Sequence, residues 1–408
     1  MSQMQEQGSL SALSVQENRH TLTERVHMIQ LRSNVDLLLL VNAPGVDPSN
    51  ACIFETDDGV VLFDVGFRFS GPQILRELRK ITDQLVRYII YGHGHVDHAG
   101  GTQAILDEAQ QRGDPRPLIV AHSNLPRRFD RYQYMSSYQN HINRIQFAIP
   151  EFLPEFAKIY IYPDVTYDVT IQFRLGGITF LLFHAMGETD DHTWMWVPEK
   201  RVAAVSDLWA WFCPIIGNPF KIQRYEIEWA EALEAIAGRE PEILLPGHGL
   251  PISGMDKIRD ACTTVALALR YLHDQVIAML NQGKWPEEIL HTFDWPEEFK
   301  NSPYLRPIYG HPYFIVKDIL RRYHGWFDGN PTNLFPSRYA DVAREMVELL
   351  GNTEILLNRA RELQAREEEQ LALHLVDVVI HGGSGVCRAE ALGLKVNLLK
   401  FKQTMSPT

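Results

Sequence analysis

The alternation of apolar and polar residues divides the chain into two regions of different texture. From residue 35 to about residue 251, short apolar runs alternate with amphipathic stretches, and Gly and Pro mark the turns between them. A strand-rich α/β domain is the architecture that this alternation indicates. The pattern predicts helices at 74–81 and 102–111 and strands at 59–64, 85–91, 118–121, 169–173, 179–184, 193–197 and 202–205.

Beyond residue 251 the apolar residues recur at helical spacing, interrupted by a stretch rich in Trp, Pro and Tyr at 285–312. We therefore predict a polar N-terminal arm over residues 1–25, an α/β domain over 26–260 and a mostly helical region over 261–408. The helices predicted in this last region span 256–282, 314–323, 340–350, 354–375 and 389–399.

Composition narrows the classes of function. The 408 residues carry 51 acidic and 39 basic side chains, a net charge of −12, which argues against nucleic acid as the main partner. Four cysteines lie far apart without a CxxC pair, as in proteins of a reducing compartment. The N-terminus resembles no signal peptide, and the longest apolar run, 35–41, is too short to span a membrane. We expect a cytoplasmic protein that acts on a small molecule.

The densest set of ligand-type side chains follows the strand predicted at 85–91. His93, His95, Asp97 and His98 fall within six residues, directly before a predicted helix. Alternate histidines at a strand end can converge on one metal ion, and the Asp-His pair in the next turn can serve a second ion nearby. Surface histidines in a loop are the alternative, but four such residues between a strand and a helix favour a metal site.

This HxHxDH arrangement resembles the first signature of the metallo-β-lactamase fold, a superfamily of mostly di-metal hydrolases. The upstream strand ending in Asp64 is similar to the superfamily strand that ends in Asp-x-Gly, which implies that Asp64 orients a ligand histidine. Three later blocks match further signatures in the same order, and they contain Glu188, Asp207 and His248. The resemblance implies an αββα sandwich followed by a helical domain.

The same resemblance implies a ligand set for two divalent ions, with zinc expected. A hydroxide shared by the two ions is the expected nucleophile, and Asp97 and Asp207 are the two ligands to which a catalytic role is assigned. The first ion is assigned to His93, His95 and Glu188, the second to Asp97, His98 and His248, and the bridge between them to Asp207.

One departure from the common superfamily pattern is similar to a particular branch of that superfamily. Glu188 stands where most members carry a histidine, and carboxylate at this position resembles the alkyl sulfatases, which hydrolyse sulfate esters of alkyl alcohols. The C-terminal strings that begin at Tyr309 and Tyr323, the second reading Tyr-His-Gly-Trp-Phe-Asp-Gly-Asn-Pro, resemble the helical dimerisation region of that branch. The resemblance implies an alkyl sulfatase that forms a homodimer.

Substrate contacts are less well marked. Lys221 and Arg224 lie where relatives have basic residues facing the sulfate, and His192 and Trp209 are assigned to the substrate site. The stretch after Asp207 departs from the sulfate-contacting sequence of the branch. Two alternatives therefore stay open: a lactonase or other ester hydrolase that uses the same metals, and a non-catalytic metal-binding scaffold.

Overall fold

The structure is a computed structural model that describes residues 16–32, 49–147 and 160–405. The first fifteen residues of the predicted N-terminal arm and the apolar run at 35–41 lie outside the described residues. The remainder of the arm contains a strand over residues 16–23. No helix in these described ranges combines the length and the apolarity that crossing a membrane requires.

Seven strands form a first sheet in the order in which they occur along the chain. Pairing is antiparallel from the first strand to the fourth and parallel from the fourth to the seventh. The strands are β1 (Gln16–Thr23), β2 (Val26–Arg32), β3 (Ala51–Thr56), β4 (Gly59–Phe63), β5 (Val86–Ile90), β6 (Leu118–His122) and β7 (Val165–Tyr167).

Helices connect the parallel strands, as parallel pairing requires. Side chains at alternate positions of β4 serve two layers: Val60 and Leu62 pack with Ile74 and Leu78 of the first helix, whereas Val61 points to the opposite face. The helices of this part are α1 (Gly71–Ile81), α2 (Val96–Ala99), α3 (Thr102–Arg112), α4 (Leu125–Tyr134) and α5 (Ser136–Gln146).

A second, six-stranded sheet packs face to face with the first. Val61 and Phe63 of β4 share a buried cluster with Leu182, Met195 and Leu245 of the second sheet. The strand order is β13-β12-β11-β10-β9-β8, and pairing is antiparallel except between β11 and β12. The strands are β8 (Thr170–Leu175), β9 (Ile178–Ala185), β10 (His192–Val197), β11 (Val202–Ser206), β12 (Ile243–Pro246) and β13 (Ile252–Ser253).

Helices cover the outer face of the second sheet. Trp194 and Trp196 alternate with Met195 along β10 and pack with Trp229 and Leu269 in a separate cluster, so this tryptophan pair belongs to the core. Helices on both faces of two packed sheets give the αββα sandwich that the sequence predicts. Helix α6 (Glu226–Gly238) connects β11 to β12, and the strands are followed by α7 (Met255–Asn281), α8 (Pro286–Thr292), α9 (Glu297–Lys300) and α10 (Pro312–Tyr323).

The chain divides into two compact units, one of residues 1–284 and 289–323 and the other of residues 285–288 and 324–408. The domain boundary predicted at residue 260 falls inside helix α7. The second unit is helical, with Leu357, Val376 and Leu398 in its core. Its long helices are α11 (Tyr339–Leu350), α12 (Glu354–Ala365), α13 (Glu369–Gly382) and α14 (Gly385–Met405).

The single helix predicted over 354–375 is wrong, because two helices occupy this range. The chain breaks between α12 and α13 at Glu367, whose φ of 60° lies in the left-handed region. The sequence contains no Gly or Pro at this point, so apolar spacing alone could not reveal the break.

Candidate metal centre

The candidate ligands lie beyond the ends of strands of both sheets, on loops and, for Asp97 and His98, on the short helix α2. His93 and His95 follow β5, Asp207 follows β11 and His248 follows β12. The carboxyl ends of neighbouring parallel strands meet at one edge of a sheet, which is where α/β folds place their sites. Glu188 lies in the loop between β9 and β10. The fold therefore gathers segments that are far apart in sequence.

The first group contains His93, His95, Glu188 and Asp207. His93 Nε2 lies 2.8 Å from His95 Nδ1. Glu188 faces both rings, with Oε1 3.7 Å from His95 Nδ1 and Oε2 3.9 Å from His93 Nε2. The two ring nitrogens and the carboxylate thus point to one small volume.

The second group contains Asp97, His98 and His248. Asp97 Oδ2 lies 3.5 Å from the Nε2 atoms of both histidines. Asp207 Oδ1 lies 3.3 Å from the same two atoms, while its Oδ2 is 3.8 Å from His93 Nε2. One carboxylate therefore faces both groups, with one oxygen directed to each.

These distances fit metal ligands. Donors bound to one tetrahedral Zn²⁺ at its usual bond lengths lie about 3.4 Å from one another. Three buried atoms of the centre have no hydrogen-bond partner: His98 Nε2, Glu188 Oε2 and Asp207 Oδ1. Buried polar atoms are ordinarily paired, and a cation held between the groups would satisfy all three. The donor set of imidazoles and carboxylates fits a divalent metal such as zinc.

The pKa shifts of the histidines also favour a bound cation. Burial, followed by the neighbouring His98, lowers the pKa of His93 well below its ordinary value, and burial with Arg224 does the same for His95. Both rings are therefore neutral, the form that binds a metal. Burial opposes the charged form of His248, but Asp207 outweighs it and raises the pKa of that ring to about 9. The second group thus concentrates negative charge, which a cation would balance.

Asp64 orients the second group, as the sequence predicts. Its Oδ2 accepts hydrogen bonds from His98 Nδ1 at 2.8 Å and from Ser206 Oγ at 2.7 Å. Its Oδ1 accepts from the backbone N–H of Gly92 at 2.6 Å. These contacts fix the tautomer of His98 and direct its Nε2 toward Asp207.

The two predicted anion ligands are both engaged with protein groups. Arg224 is 3% exposed, and its Nη1 forms an ion pair of 2.7 Å with Glu188 Oε1. Lys221 Nζ donates to Asn143 Oδ1 at 2.9 Å. The structure therefore brings Arg224 to the first group as a partner of a candidate ligand. A role of either residue in binding sulfate stays a prediction.

His192 and Trp209 lie in different surroundings. His192 is fully buried, its ring stacks on that of His93 at 5.0 Å, and neither of its nitrogens has a hydrogen-bond partner. Trp209 is 1% exposed and lines an apolar cavity with Phe212 and Trp229. Asp207 and His248 also border this cavity, so it adjoins the second group. Contact of His192 or Trp209 with substrate stays a prediction.

Two buried residues beside the first group escaped the sequence reasoning. Asp191 belongs to the same block as Glu188, but an aspartate in a turn gives no sign of what it binds. Arg128 lies on α4, remote in sequence from every candidate ligand. A hydrogen-bond partner for the backbone of the loop that carries His93 and His95 could be expected, but the sequence pattern does not show which residue it is.

Two protein families match different parts of the chain. Residues 44–248 match the metallo-beta-lactamase superfamily, and residues 285–401 match the alkyl sulfatase dimerisation domain. Curated relatives include a linear primary-alkylsulfatase of Pseudomonas sp. (strain ATCC 19151), 25% identical over 350 residues. The alkyl/aryl-sulfatase BDS1 of Saccharomyces cerevisiae (strain ATCC 204508 / S288c) is 25% identical over 344 residues.

The matches cover most of this chain but less of the relatives. They take in 79% and 78% of the chain, and 65% and 52% of the Pseudomonas and yeast proteins. The solved structure of the stereoselective inverting sec-alkylsulfatase Pisa1 from Pseudomonas sp. superposes with a TM-score of 0.79 at 19% identity, over 96% of this chain and 63% of that one. This likeness concerns the fold. The chain belongs to the metallo-beta-lactamase superfamily.

Proposed function

We propose that the chain is a dinuclear zinc hydrolase that cleaves alkyl sulfate esters. The observation that carries the proposal is the pair of ligand groups that share Asp207, with Glu188 in the first. The curated relatives that match most of the chain are alkylsulfatases, and the chain spans between about half and two thirds of their length. Their activity supports the choice of a sulfate ester as substrate.

The division of labour follows from the geometry of the side chains. Two bound ions would act as Lewis acids and lower the pKa of a coordinated water. Asp207 directs one oxygen to each group and so fixes their separation. Arg224 is paired with Glu188 and limits the negative charge of the first group. Asp97 links the two histidines of the second group.

Charge favours an anionic ester. Two divalent ions would outweigh the three carboxylates of the two groups by one positive charge, and Arg224 adds another beside Glu188. Lys221 adds a further cation close enough for Glu188 and Asp97 to affect its pKa. A sulfate monoester carries a negative charge, so this positive excess supports it over a neutral ester.

The apolar cavity beside the second group supports an alkyl substituent. Phe212, Ile215 and Trp229 line it, and Asp207 and His248 form its polar border. The free space in it is about that of one water molecule, so an ester held at the metals could place its first carbon atom against these side chains. Burial of that carbon would contribute about 0.8 kcal/mol.

We also propose that the chain acts as a homodimer. The match of residues 285–401 to the alkyl sulfatase dimerisation domain supports this assembly. The second unit exposes several large apolar side chains, among them Phe335 and Leu349. A cytoplasmic location stays a prediction.

A second candidate function is hydrolysis of a carboxylic ester or lactone by the same metals. One observation favours it: both basic residues assigned to the sulfate have protein partners, Arg224 with Glu188 and Lys221 with Asn143. A neutral ester needs no cation besides the metals, so this arrangement would serve it without rearrangement.

Release of inorganic sulfate from alkyl sulfates of graded chain length tests the proposal. The full chain is loaded with zinc, and carboxylic esters and lactones of matched length are offered in parallel. We expect sulfate release that a chelator abolishes and added zinc restores. His95→Ala, which removes one candidate ligand, should be inactive with its fold retained. Turnover of the carboxylic ester or lactone without any sulfate release would transfer the proposal to the second candidate.

A further inference from the structure

Helix α4 carries a buried arginine that contacts the loop bearing Glu188. Arg128 is 5% exposed, and its Nε donates to Asp191 Oδ1 at 2.6 Å. Its Nη2 donates to the carboxylate of Asp190 in the same loop. A buried charge persists only when it is paired and hydrogen bonded, so these contacts tie α4 firmly to the Glu188 loop.

The partner carboxylate reaches a second loop. Asp191 is fully buried, and its Oδ2 accepts a hydrogen bond of 2.8 Å from the backbone N–H of Gly94. Gly94 is the residue between His93 and His95. Asp191 therefore joins the loop of Glu188 to the loop that carries the other two ligands of the first group.

The space around Gly94 is filled by the same pair. A Cβ atom added to Gly94 would lie 2.8 Å from Arg128 Cδ and 3.0 Å from Asp191 Oδ2, both closer than side chains ordinarily approach. The histidine loop thus rests directly on the Arg128–Asp191 pair. Any displacement of the pair would move the peptide that spaces His93 from His95.

Arg128 also reaches His95 through a neighbouring aromatic ring. Its Nη1 donates to the hydroxyl of Tyr132 at 3.1 Å. The ring of Tyr132 faces the ring of His95, with centroids 6.5 Å apart and planes 27° apart. One guanidinium therefore acts on His95 through two routes, the backbone of Gly94 and the ring of Tyr132.

The second group has its own support of the same kind. Asp64 accepts from the backbone N–H of Gly92 and from the ring of His98. Two buried aspartates thus hold alternate amides of a single loop. Asp191 reaches the amide between His93 and His95, and Asp64 reaches His98 and the amide that precedes His93.

We propose that Arg128 and Asp191 are positioning residues that set the metal affinity of the first group independently of the second. Partners that orient metal ligands typically change metal affinity by 10- to 100-fold when they are removed. The inference rests on the proposed function only in requiring that both groups bind zinc. It does not depend on the nature of the substrate.

Single-site chains separate the two groups. His248→Ala leaves the first group complete, and Glu188→Ala leaves the second group complete. The zinc dissociation constant of each chain is measured by competition with a chromophoric chelator. Asp191→Asn is then added to both, because Arg128 and Gly94 donate to different oxygens of Asp191 and asparagine replaces one of these oxygens by an NH₂ donor.

We expect Asp191→Asn to weaken zinc binding by about 10-fold or more in the His248→Ala chain and by less than about 2-fold in the Glu188→Ala chain. Asp64→Asn is the comparison variant: Asp64 holds His98 directly and reaches His93 through Gly92 and Ser206, so it should weaken zinc binding in both chains. Equal weakening in both chains by Asp191→Asn, or no weakening in either, would overturn the proposal.

A second variant keeps the proposal testable if Asp191→Asn does not fold. Arg128→Met combined with Asp191→Leu replaces the buried pair by apolar side chains, a change that proteins often tolerate. Zinc titration of this variant, in which all candidate ligands are present, measures two stepwise dissociation constants. One of them should be higher than in the unsubstituted chain and the other unchanged. A rise in both constants would contradict the proposal. Sulfate release does not enter these measurements, so a chain that binds two ions but cleaves no sulfate ester would refute the proposed function alone.

Discussion

The geometry of the metal centre depends on a glycine that leaves no room for a Cβ atom. Asp207 follows the end of β11 and Gly247 follows the end of β12, and the backbone N–H of Gly247 donates to the carbonyl of Ser206 at 2.7 Å. A Cβ atom added to Gly247 would lie 2.0 Å from Asp207 Oδ1 and 2.7 Å from the carbonyl carbon of Ser206. The carboxylate that faces both groups therefore depends on the absence of one methyl group.

Gly247→Ala should displace Asp207 and lower the affinity for both ions, by about 10- to 100-fold each. Gly238→Ala is the control, because a Cβ atom at that position at the end of α6 meets nothing within 4 Å. Chelator competition measures the affinities, and sulfate release measures the activity. Equal behaviour of the two alanine variants would show that Asp207 is not held as described.

Lys221 provides a test by pH. Burial, followed by the nearby Arg224, lowers the pKa of Lys221 to about 8, while Glu188 and Asp97 oppose this shift. If its cation binds the sulfate group, kcat/KM for an alkyl sulfate should fall as the pH rises through about 8, because the lysine then becomes neutral. Loss of a hydrogen bond to a charged group corresponds to about 1.5–3 kcal/mol, or roughly 10- to 150-fold.

The charge-keeping variant Lys221→Arg is the control for this pH profile. Arginine stays protonated over the whole range, so the decline near pH 8 should disappear in the variant. Lys221→Met should show low activity at every pH. A decline that persists unchanged in Lys221→Arg would assign the titration to another group.

The residues that the structure gathers into the two candidate groups could be named from the sequence because each stands in a short block that resembles a superfamily signature. The HxHxDH string and the strand ends before Asp207 and His248 need no tertiary information. The roles of Arg128, Asp191 and Tyr132 depend on which loops meet in space, and a single sequence does not contain that information. The engagement of Arg224 with Glu188 escaped prediction for the same reason.

Secondary-structure elements were predictable where their periodicity is strong. The short apolar run of β4 and the apolar spacing of α7 match the predicted strand and helix closely. The strands β1, β2 and β3 were not predicted individually, because their polar and charged positions lack a clean alternation. The break between α12 and α13 was missed because a glutamate occupies a backbone conformation that usually requires glycine.

This break offers a stability test. A non-glycine residue in the left-handed region costs about 1–2 kcal/mol, while glycine costs part of that in chain entropy. Glu367→Gly should therefore stabilise the second unit by about 0.5–1 kcal/mol. Glu368, with a φ of −105°, has no such strain, so Glu368→Gly should be neutral or destabilising. Urea denaturation followed by circular dichroism compares the two, and a loss of stability in Glu367→Gly would contradict the assignment of the break.

For the molecule as a whole, the helical second unit suggests how two copies associate. Helix α11 exposes Tyr339, Val342, Met346 and Leu349, which recur every three or four residues and so form one stripe. Leu349 is 87% exposed. An apolar stripe of this length is unusual on a monomer and typical of a surface that another chain covers. The sequence predicts the dimer by resemblance, and we propose this stripe as its interface.

Light scattering of the purified chain at micromolar concentration should therefore give about twice the chain mass of 46.8 kDa. Met346→Glu combined with Leu349→Glu places two charges in the stripe, and burying them without partners is costly, so this variant should be monomeric. Glu345→Ala, on an exposed neighbouring position outside the stripe, should stay dimeric. A monomer in the unsubstituted chain would reject the homodimer, whereas a dimer that survives the double substitution would move the interface to another surface of the chain. Zinc content should be two ions per chain in both variants, because every candidate ligand belongs to the first compact unit.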